Sequence, residues 1–254
     1  MKVSQLYEFL NERIPRALSC EWDNDGLACC PDPEKQVCRV LLALDITREV
    51  VDKAVDEGYD VILAHHPLIF RPIKALTTDL AVPGKLIRLV ENKISAMAFP
   101  TRLDAVDGGV NDVLAQRLGL SEIEKFGPEG EMMGRVGRLP ASMSLEDFAA
   151  QVKCTLGAPF VLANGDRTVS RVAVVGGNGD DFIGAAIAAG ADTYVSGRLG
   201  YHPMTDARES GINLVEAGHF YTEAPVLAYL ESLIQSLDNT IETTVFDSNR
   251  IVAI

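Results

Sequence analysis

Short apolar runs alternate with helix-length amphipathic stretches along much of the chain. Residues 40–64 and 172–195 show this order most clearly, because in each a helix-length stretch separates two mostly apolar runs of four to six residues. Strands without a polar face are typical of parallel sheets that helices cover on both sides. The pattern therefore predicts the α/β fold class, with largely parallel sheets.

The individual elements are predicted from these runs and from capping signals. Ser144, followed by Glu146 and Asp147, is typical of a helix N-cap with acidic residues in the first turn. We predict strands over residues 40–45, 60–64, 94–99, 172–175, 192–195 and 240–246. We predict helices over residues 47–57, 144–156, 181–189 and 221–236, and one that ends near residue 118.

The two strand–helix–strand segments resemble each other. EGYD at 57–60 and AGAD at 189–192 lie 132 residues apart, and the same offset aligns residues 41–44 with residues 173–176. Chance similarity between two α/β segments is the alternative. We favour a chain built from two related α/β domains.

A stretch rich in Gly, Pro and Met interrupts the pattern at residues 127–143. Such composition is typical of a connection between domains rather than of a packed element. We therefore predict a first α/β domain over residues 1–126, completed by residues 225–254, and a second over residues 127–224.

Composition and charge narrow the functional classes. Of 254 residues, 47% are hydrophobic and 23% are charged, as in ordinary globular proteins. The formal net charge of −13 argues against nucleic acid or a membrane surface as a partner, since both require clustered Lys and Arg. The chain shows no secretory signal and no apolar run of the roughly 20 residues that span a bilayer. Five cysteines without CxxC spacing indicate reduced thiols and a cytoplasmic protein, and we expect the single Trp, Trp22, in the core.

Two of the four histidines directly follow the apolar strand predicted over residues 60–64. In open α/β sheets, ligands bind at the carboxyl ends of strands, where His65 and His66 lie. Successive side chains of a strand point in opposite directions, so the pair can address two different ligands. The alternative is a solvent-facing pair of histidines in a loop.

A second cluster is the motif Gly218-His219-x-x-x-Glu223. On a helix, residues four apart share one face, so an imidazole and a carboxylate can bind one metal. The alternative is an ordinary first turn whose Glu complements the helix dipole. Asp104, near the end of the strand at 94–99, is a further ligand candidate, whereas we expect Asp112 to cap or charge a helix start.

Three imidazoles and two carboxylates are enough for two divalent cations. His65, His66, His219, Asp104 and Glu223 together suit Zn, Fe, Mn, Co or Ni without choosing among them. A carboxylate that bridges two metals about 3.5–4 Å apart would generate a bound hydroxide for hydrolysis.

Other sequence motifs give less support for a functional site than the histidine and carboxylate clusters. The loop around Gly176 and Gly177 lacks the G-x-G-x-x-G spacing of a dinucleotide site, and Ser196 is not in a nucleophile elbow. For His202, the fourth histidine, a structural or surface role is at least as good an interpretation as a place near the site.

At these residues the sequence resembles the Nif-three-like family, often catalogued as GTP cyclohydrolase 1 type 2 homologues. The resemblance is carried by WDNDGL at 22–27, LD at 44–45, HHPLIF at 65–70, LD at 103–104, GVND at 109–112, SG at 196–197 and GHFYTE at 218–223. It implies two related α/β domains with a dinuclear metal site at their interface, and a homohexamer.

The resemblance also implies a role for each ligand. His66 and Asp104 would bind one metal, His65 and His219 the other, and Glu223 would bridge both. Two positions depart from the family pattern: Pro100 stands where members often carry a His, and Arg198 where an acidic residue is usual. Neither is among the five ligands, so these departures bear on activity more than on metal binding.

The sequence is compatible with two functions. The first is a metal-dependent hydrolase that acts on a nucleotide or phosphoester by metal-bound hydroxide, with Arg198, Arg102 or Asn24 orienting this small-molecule substrate. The alternative is a non-enzymatic protein of metal binding, metal delivery or regulation. The sequence does not decide whether the protein is an enzyme.

Overall fold

The computed structural model describes residues 1–253 and consists of helices and strands in mixed order. The helices are α1 (Val3–Arg13), α2 (Arg48–Asp56), α3 (Ala81–Glu91), α4 (Pro100–Ala105), α5 (Val110–Arg117), α6 (Leu145–Leu156), α7 (Ile183–Ala188), α8 (Tyr201–Ser210), α9 (His219–Glu223) and α10 (Leu227–Leu237). The strands are β1 (Gly26–Cys29), β2 (Arg39–Ala43), β3 (Val61–Ala64), β4 (Ser95–Ala98), β5 (Ser121–Phe126), β6 (Gly134–Met143), β7 (Leu162–Asn164), β8 (Val169–Asn178), β9 (Thr193–Arg198), β10 (Asn213–Glu216) and β11 (Glu242–Phe246).

The chain divides into two compact units, each with its own sheet. The first unit comprises Met1–Leu103 and Leu227–Arg250, and the second comprises Asp104–Val226 with the C-terminal residues from Ile251 onward. Each sheet carries helices and is centred on parallel strands. The prediction of an α/β fold with two domains is confirmed.

The sheet of the first unit has the strand order β1-β4-β3-β2-β11. Its four neighbouring strands from β4 to β11 are parallel, and β1 is antiparallel at one edge. Every residue of β3 and β4 is buried, as is all of β2 except Arg39. Such continuous burial is the reason why these strands lack a polar face in the sequence.

The sheet of the second unit has the strand order β5-β6-β8-β9-β10-β7. Its centre, β8 to β10, is parallel, whereas β5, β6 and β7 are antiparallel. Part of the stretch 127–143, where the pattern was expected to break, forms β6. Pro140 is tolerated there because it lies where the β6–β8 register shifts, between Arg138 and Met143.

The repeat that the sequence suggested is visible in the hydrogen bonds of both units. In each, a parallel strand pair encloses a helix, β2–α2–β3 in the first unit and β8–α7–β9 in the second. The Asp60 carboxylate accepts the backbone N–H groups of Cys38 and Arg39, and Asp192 accepts those of residues 170 and 171. These contacts are related by the same offset of 132 residues, which supports the prediction of two related α/β halves.

Two predicted helices show the effect of local sequence signals, a capping serine in one and a proline in the other. Helix α6 begins as expected, because Ser144 Oγ accepts the backbone N–H of Asp147 at 3.0 Å. The single helix predicted over residues 221–236 is instead α9 and α10, separated by a 3₁₀ turn at Ala224–Val226. Pro225 explains the break, because proline has no N–H to donate and its ring collides with the preceding helical turn. Among residues 1–253, no helix combines the length and the apolar character that a bilayer crossing requires.

Candidate metal centre

His65 and His66 leave the buried strand β3, where the sequence placed them. His65 is buried and His66 is partly exposed, and the centroids of their rings are 4.7 Å apart with the ring planes tilted by 45°. The backbone N–H of His66 donates to the carbonyl of Leu44 at 2.9 Å. This hydrogen bond extends the pairing of β3 with β2 beyond the ends of the two strands. The pair therefore starts from a fixed backbone.

Asp45 orients the His66 ring. It follows β2, and its Oδ1 lies 2.8 Å from His66 Nδ1. The Asp45 backbone N–H donates to Ser248 Oγ at 3.3 Å, so the loop that carries the carboxylate is itself held. A carboxylate on one ring nitrogen fixes the proton there and leaves the other nitrogen, Nε2, as a metal ligand. Asp45 is a supporting residue that the sequence alone did not single out, although its place just beyond the end of β2, the neighbour of β3, points to the same edge of the sheet.

His219 and Glu223 meet on α9, as the four-residue spacing predicts. His219 Nε2 and Glu223 Oε2 are 3.1 Å apart. Two donor atoms that bind the same metal ion at 2.0–2.2 Å lie about 3 Å from each other. The Glu223 side chain is 5% exposed and that of His219 is 47% exposed, so the pair combines a buried carboxylate with an accessible imidazole.

A pair of glycines provides the surface beneath Glu223. Gly177 has φ +67°, and a Cβ there would lie 2.2 Å from Glu223 Oε1 and 3.3 Å from His219 Nε2. Its N–H donates to Thr222 Oγ1 at 3.1 Å, which fixes this end of β8 against α9. Only glycine leaves room for the carboxylate in this backbone conformation. The two glycines, which lie near the end of β8 where its register with β9 shifts, thus pack against the predicted ligands.

The structure places Asp104 on α4, the short helix that follows β4. Asp104 is half-buried, and its backbone oxygen accepts a hydrogen bond from Asn111 Nδ2 at 3.1 Å. Asp112 has the structural role that we expected. It accepts the N–H of Gly108 at 2.8 Å and pairs with the buried Arg135 at 2.7 Å, which fixes the turn between α4 and α5.

Three of the five predicted ligands form a group that could hold a metal ion. One ligand atom from each of His65, His66 and Glu223 lies within 4.8 Å of the other two. Two imidazoles and one carboxylate are a donor set typical of zinc and other divalent transition metals.

Other sequence expectations around the site were wrong. Arg102 cannot orient a substrate, because its side chain is fully buried, pairs with Asp25 at 2.6 Å and donates to Asn11 at 2.9 Å. Trp22 does not lie in the core: it is 64% exposed and contacts the ring of Phe70 edge-on.

Arg198, Asn24 and His202 are exposed or near the surface. Arg198 ends β9 with its side chain exposed, and His202 is exposed on α8 beside the ring of Tyr201. The Asn24 side chain donates to the carbonyl of Ile69, in the loop that follows the two histidines. Arg198 therefore stays available for an anionic ligand, whereas Asn24 has a structural contact.

Comparison with known proteins shows similarity over almost the whole chain. The family model Duf34/NIF3 (NGG1p interacting factor 3) matches residues 1–251. A curated protein of Clostridium perfringens, named GTP cyclohydrolase 1 type 2 homolog, is 35% identical over 249 residues, covering 95% of each chain. A protein of the same name from Nostoc sp. is 32% identical over 244 residues, covering 94% of this chain and 93% of the relative.

Solved structures agree with this similarity. Staphylococcus aureus protein SA1388 superposes with a TM-score of 0.89 at 26% identity, covering 100% of this chain and 99% of that protein. Reduced HcgD from Methanocaldococcus jannaschii superposes with a TM-score of 0.82 at 30% identity, covering 96% and 97%. The architecture is therefore shared across bacterial and archaeal proteins.

Proposed function

The chain belongs to the Duf34/NIF3 family, and from this premise we propose that it binds divalent cations through His65, His66, Asp104, His219 and Glu223. The observation that carries the proposal is the grouping of ligand atoms from His65, His66 and Glu223 within 4.8 Å. Unrelated surface histidines would not be expected to converge with a carboxylate that is 5% exposed.

The surroundings of the ligands fit a metal site. Asp45 bonds to Nδ1 of His66 and so presents Nε2, an arrangement that metal-binding histidines commonly share. The glycine at position 177 leaves the space that the Glu223 carboxylate fills. The donor set suits Zn, Fe, Mn, Co or Ni, and nothing in its chemistry selects one of them.

We further propose that two cations bind per chain. His66 and Asp104 would hold one, His65 and His219 the other, and Glu223 would bridge them. The 3.1 Å separation between His219 and Glu223 supports the shared part of this assignment. Three imidazoles and two carboxylates supply enough donors for two sites, with positions left for water or a substrate.

The reaction class that we propose is metal-dependent hydrolysis of a nucleotide or phosphoester. When bound, divalent cations lower the pKa of a coordinated water and polarise the centre that it attacks. The names of the curated relatives refer to GTP cyclohydrolase, which agrees with a nucleotide substrate. In this chain, Asp45 keeps His66 in its ligand orientation, and the exposed Arg198 offers a charge for a phosphate group.

A non-enzymatic role in metal binding, delivery or regulation is the second candidate. One feature favours it: Arg198 stands at the end of β9, where the family resemblance implies an acidic residue. A guanidinium stays protonated in proteins and cannot serve as a general acid or base. A site without an acid or base at this position can still bind metal without turning over a substrate.

The test of metal binding compares two partly or fully buried glutamates. We expect the reconstituted wild-type protein to hold up to two metals per chain, and Glu223→Gln to hold less than one. Glu216→Gln is the matched control, because Glu216 accepts the N–H of Leu199 at 2.7 Å and is not one of the five proposed ligands. Elemental analysis of the purified proteins gives the result. Unchanged metal content in Glu223→Gln, or a wild type well below one metal per chain, would contradict the proposal.

The same preparations distinguish the two functions. The hydrolase proposal predicts multiple turnovers on a member of a nucleotide and phosphoester panel, lost in His66→Ala. The delivery proposal predicts transfer of metal to an acceptor chelator without any turnover. A fully loaded wild type that shows no turnover on the panel would count against the hydrolase and leave metal binding intact.

A further inference from the structure

One buried amide in the second unit connects the backbone at Asp104 with the end of β8 beneath Glu223. Asn111 lies in the first turn of α5 and is 1% exposed. Its Nδ2 donates to the backbone oxygen of Asp104 at 3.1 Å, and its Oδ1 accepts the backbone N–H of Gly176 at 2.8 Å. The side chain thus uses its donor and its acceptor in opposite directions, each on a different segment of backbone.

The segment on the acceptor side supports the carboxylate directly. A Cβ on Gly176 would lie 3.2 Å from Glu223 Cγ, and a Cβ on Gly177 would lie 2.2 Å from Glu223 Oε1. The Gly176 N–H that donates to Asn111 therefore belongs to the backbone segment against which Glu223 packs. Any shift of this segment moves the carboxylate with it, because interiors packed this closely transmit displacement.

From these contacts we propose that Asn111 is a positioning residue for the metal centre, which sets the spacing between Asp104 and the Glu223–His219 pair. The inference rests on the proposed function, since it assigns Asn111 to the ligands named there. Asn111 would not bind metal itself. It would act through the backbone of one ligand and the packing surface of another.

A primary amide is the side chain that meets both requirements at this position. Aspartate would keep an acceptor for Gly176 but would turn a second oxygen toward the carbonyl of Asp104. Leucine has a similar size and would leave both buried backbone groups without their partner. Both substitutions are thus expected to let Asp104 and the Gly176 segment of β8 move relative to each other.

The chain offers a closely matched control in Asn213. This residue is also buried in the second unit, and its amide likewise donates and accepts, with hydrogen bonds to both backbone groups of Arg167 and to Thr193. Asn213→Leu removes a buried amide of the same kind, but one whose partners are not the proposed metal ligands. It therefore measures the loss of stability without the loss of ligand spacing.

The experiment measures metal affinity and metal geometry in the full-length protein. Zn²⁺ affinity comes from competition with a chromophoric chelator, and geometry comes from the visible absorption of bound Co²⁺. We expect Asn111→Leu to weaken Zn²⁺ binding by about tenfold to a hundredfold, the usual range for groups that support metal ligands, and to change the Co²⁺ spectrum. We expect Asn213→Leu to unfold at a lower urea concentration and to leave both metal readouts as in the wild type.

The remaining outcomes separate this inference from the proposed function. If Asn111→Leu does not fold, Asn111→Asp decides, because it keeps the acceptor for Gly176. Wild-type affinity and an unchanged Co²⁺ spectrum in the folded Asn111 variants would overturn the positioning role, even with Glu223→Gln impaired. A wild-type protein that binds neither Zn²⁺ nor Co²⁺ would overturn the proposed function and this inference together.

Discussion

At the scale of single residues, the predicted ligands are held by neighbouring side chains and glycines whose supporting roles do not follow from the sequence. Asp45 fixes His66 through one ring nitrogen, Gly177 makes room for Glu223, and Asn111 ties down the backbone of Asp104. The sequence showed the histidines because their place after an apolar strand is a local signal. It could not show Asn111 or Gly177, since their partners lie far away in the chain and become neighbours only through folding.

The adjacent cysteines give a prediction at the same scale. Burial, and secondarily the neighbouring Cys30, raises the pKa of the Cys29 thiol to about 11, whereas Cys38 and Cys154 are exposed free thiols. At pH 8 roughly one Cys29 in a thousand would then be a thiolate, the form that reacts and that binds soft metals. We expect iodoacetamide at pH 8 to modify Cys38 and Cys154 in the folded protein and to spare Cys29. Mass spectrometry of the peptides measures the labelling.

Unfolding provides the control for this prediction. In urea, Cys29 is expected to be modified as fast as the exposed thiols, because the raised pKa comes from burial. Labelling of Cys29 in the native protein at the rate of Cys38 would refute the prediction.

At the scale of elements, the signals that predicted well were local, and strand β6 was missed because it depends on contacts with strands distant in the sequence. The strand–helix–strand segments and the cap of α6 follow from apolar runs and one serine, which act over a few residues. Strand β6 was not predicted because its Gly- and Pro-containing sequence has little strand propensity of its own. Pairing with β5 and β8 on its two sides stabilises it as a strand.

The N-cap of α6 allows a direct measurement. Ser144→Ala removes the oxygen that accepts the N–H of Asp147, so we expect the free energy of unfolding to fall by about 1 kcal/mol. Urea denaturation followed by circular dichroism gives the value. Ser232→Ala is the control, because Ser232 is on α10 and its hydroxyl only donates back to the carbonyl of Tyr229, with no free helix N–H to satisfy. Equal losses in the two variants would rule out capping as the cause.

At the scale of the whole molecule, the acidic composition argues against polyanionic partners, whereas the exposed apolar side chains favour contact with another protein surface. The net charge of −13 opposes binding to nucleic acid or to an anionic membrane. Yet large apolar side chains in the first unit are exposed, among them Trp22, Phe70 and Leu76. Exposed apolar side chains that cluster mark interaction surfaces in soluble proteins.

The corresponding prediction concerns mass in solution. Following the family resemblance, we expect a homohexamer, with a mass about six times the 27.4 kDa of one chain. Leu76→Glu is expected to shift the protein toward smaller species, because a charge at this exposed apolar position is costly to bury between chains, while the circular dichroism spectrum stays unchanged. Sedimentation equilibrium at micromolar concentration gives the mass of the wild type and of the Leu76→Glu variant. A wild type that sediments as a single chain would exclude the hexamer.

The two related strand–helix–strand segments also differ in how they bear on the candidate site. The offset that superposes them places Asp45 over Gly177, and His65 and His66 over Gly197 and Arg198. A Cβ on Gly197 would lie 2.7 Å from the Cα of His219, so glycine there lets α9 approach the sheet. The first segment thus carries its proposed donors at the end of β3. The second has glycine at two of the three matching positions, and α9, which carries the other proposed donors, packs against it.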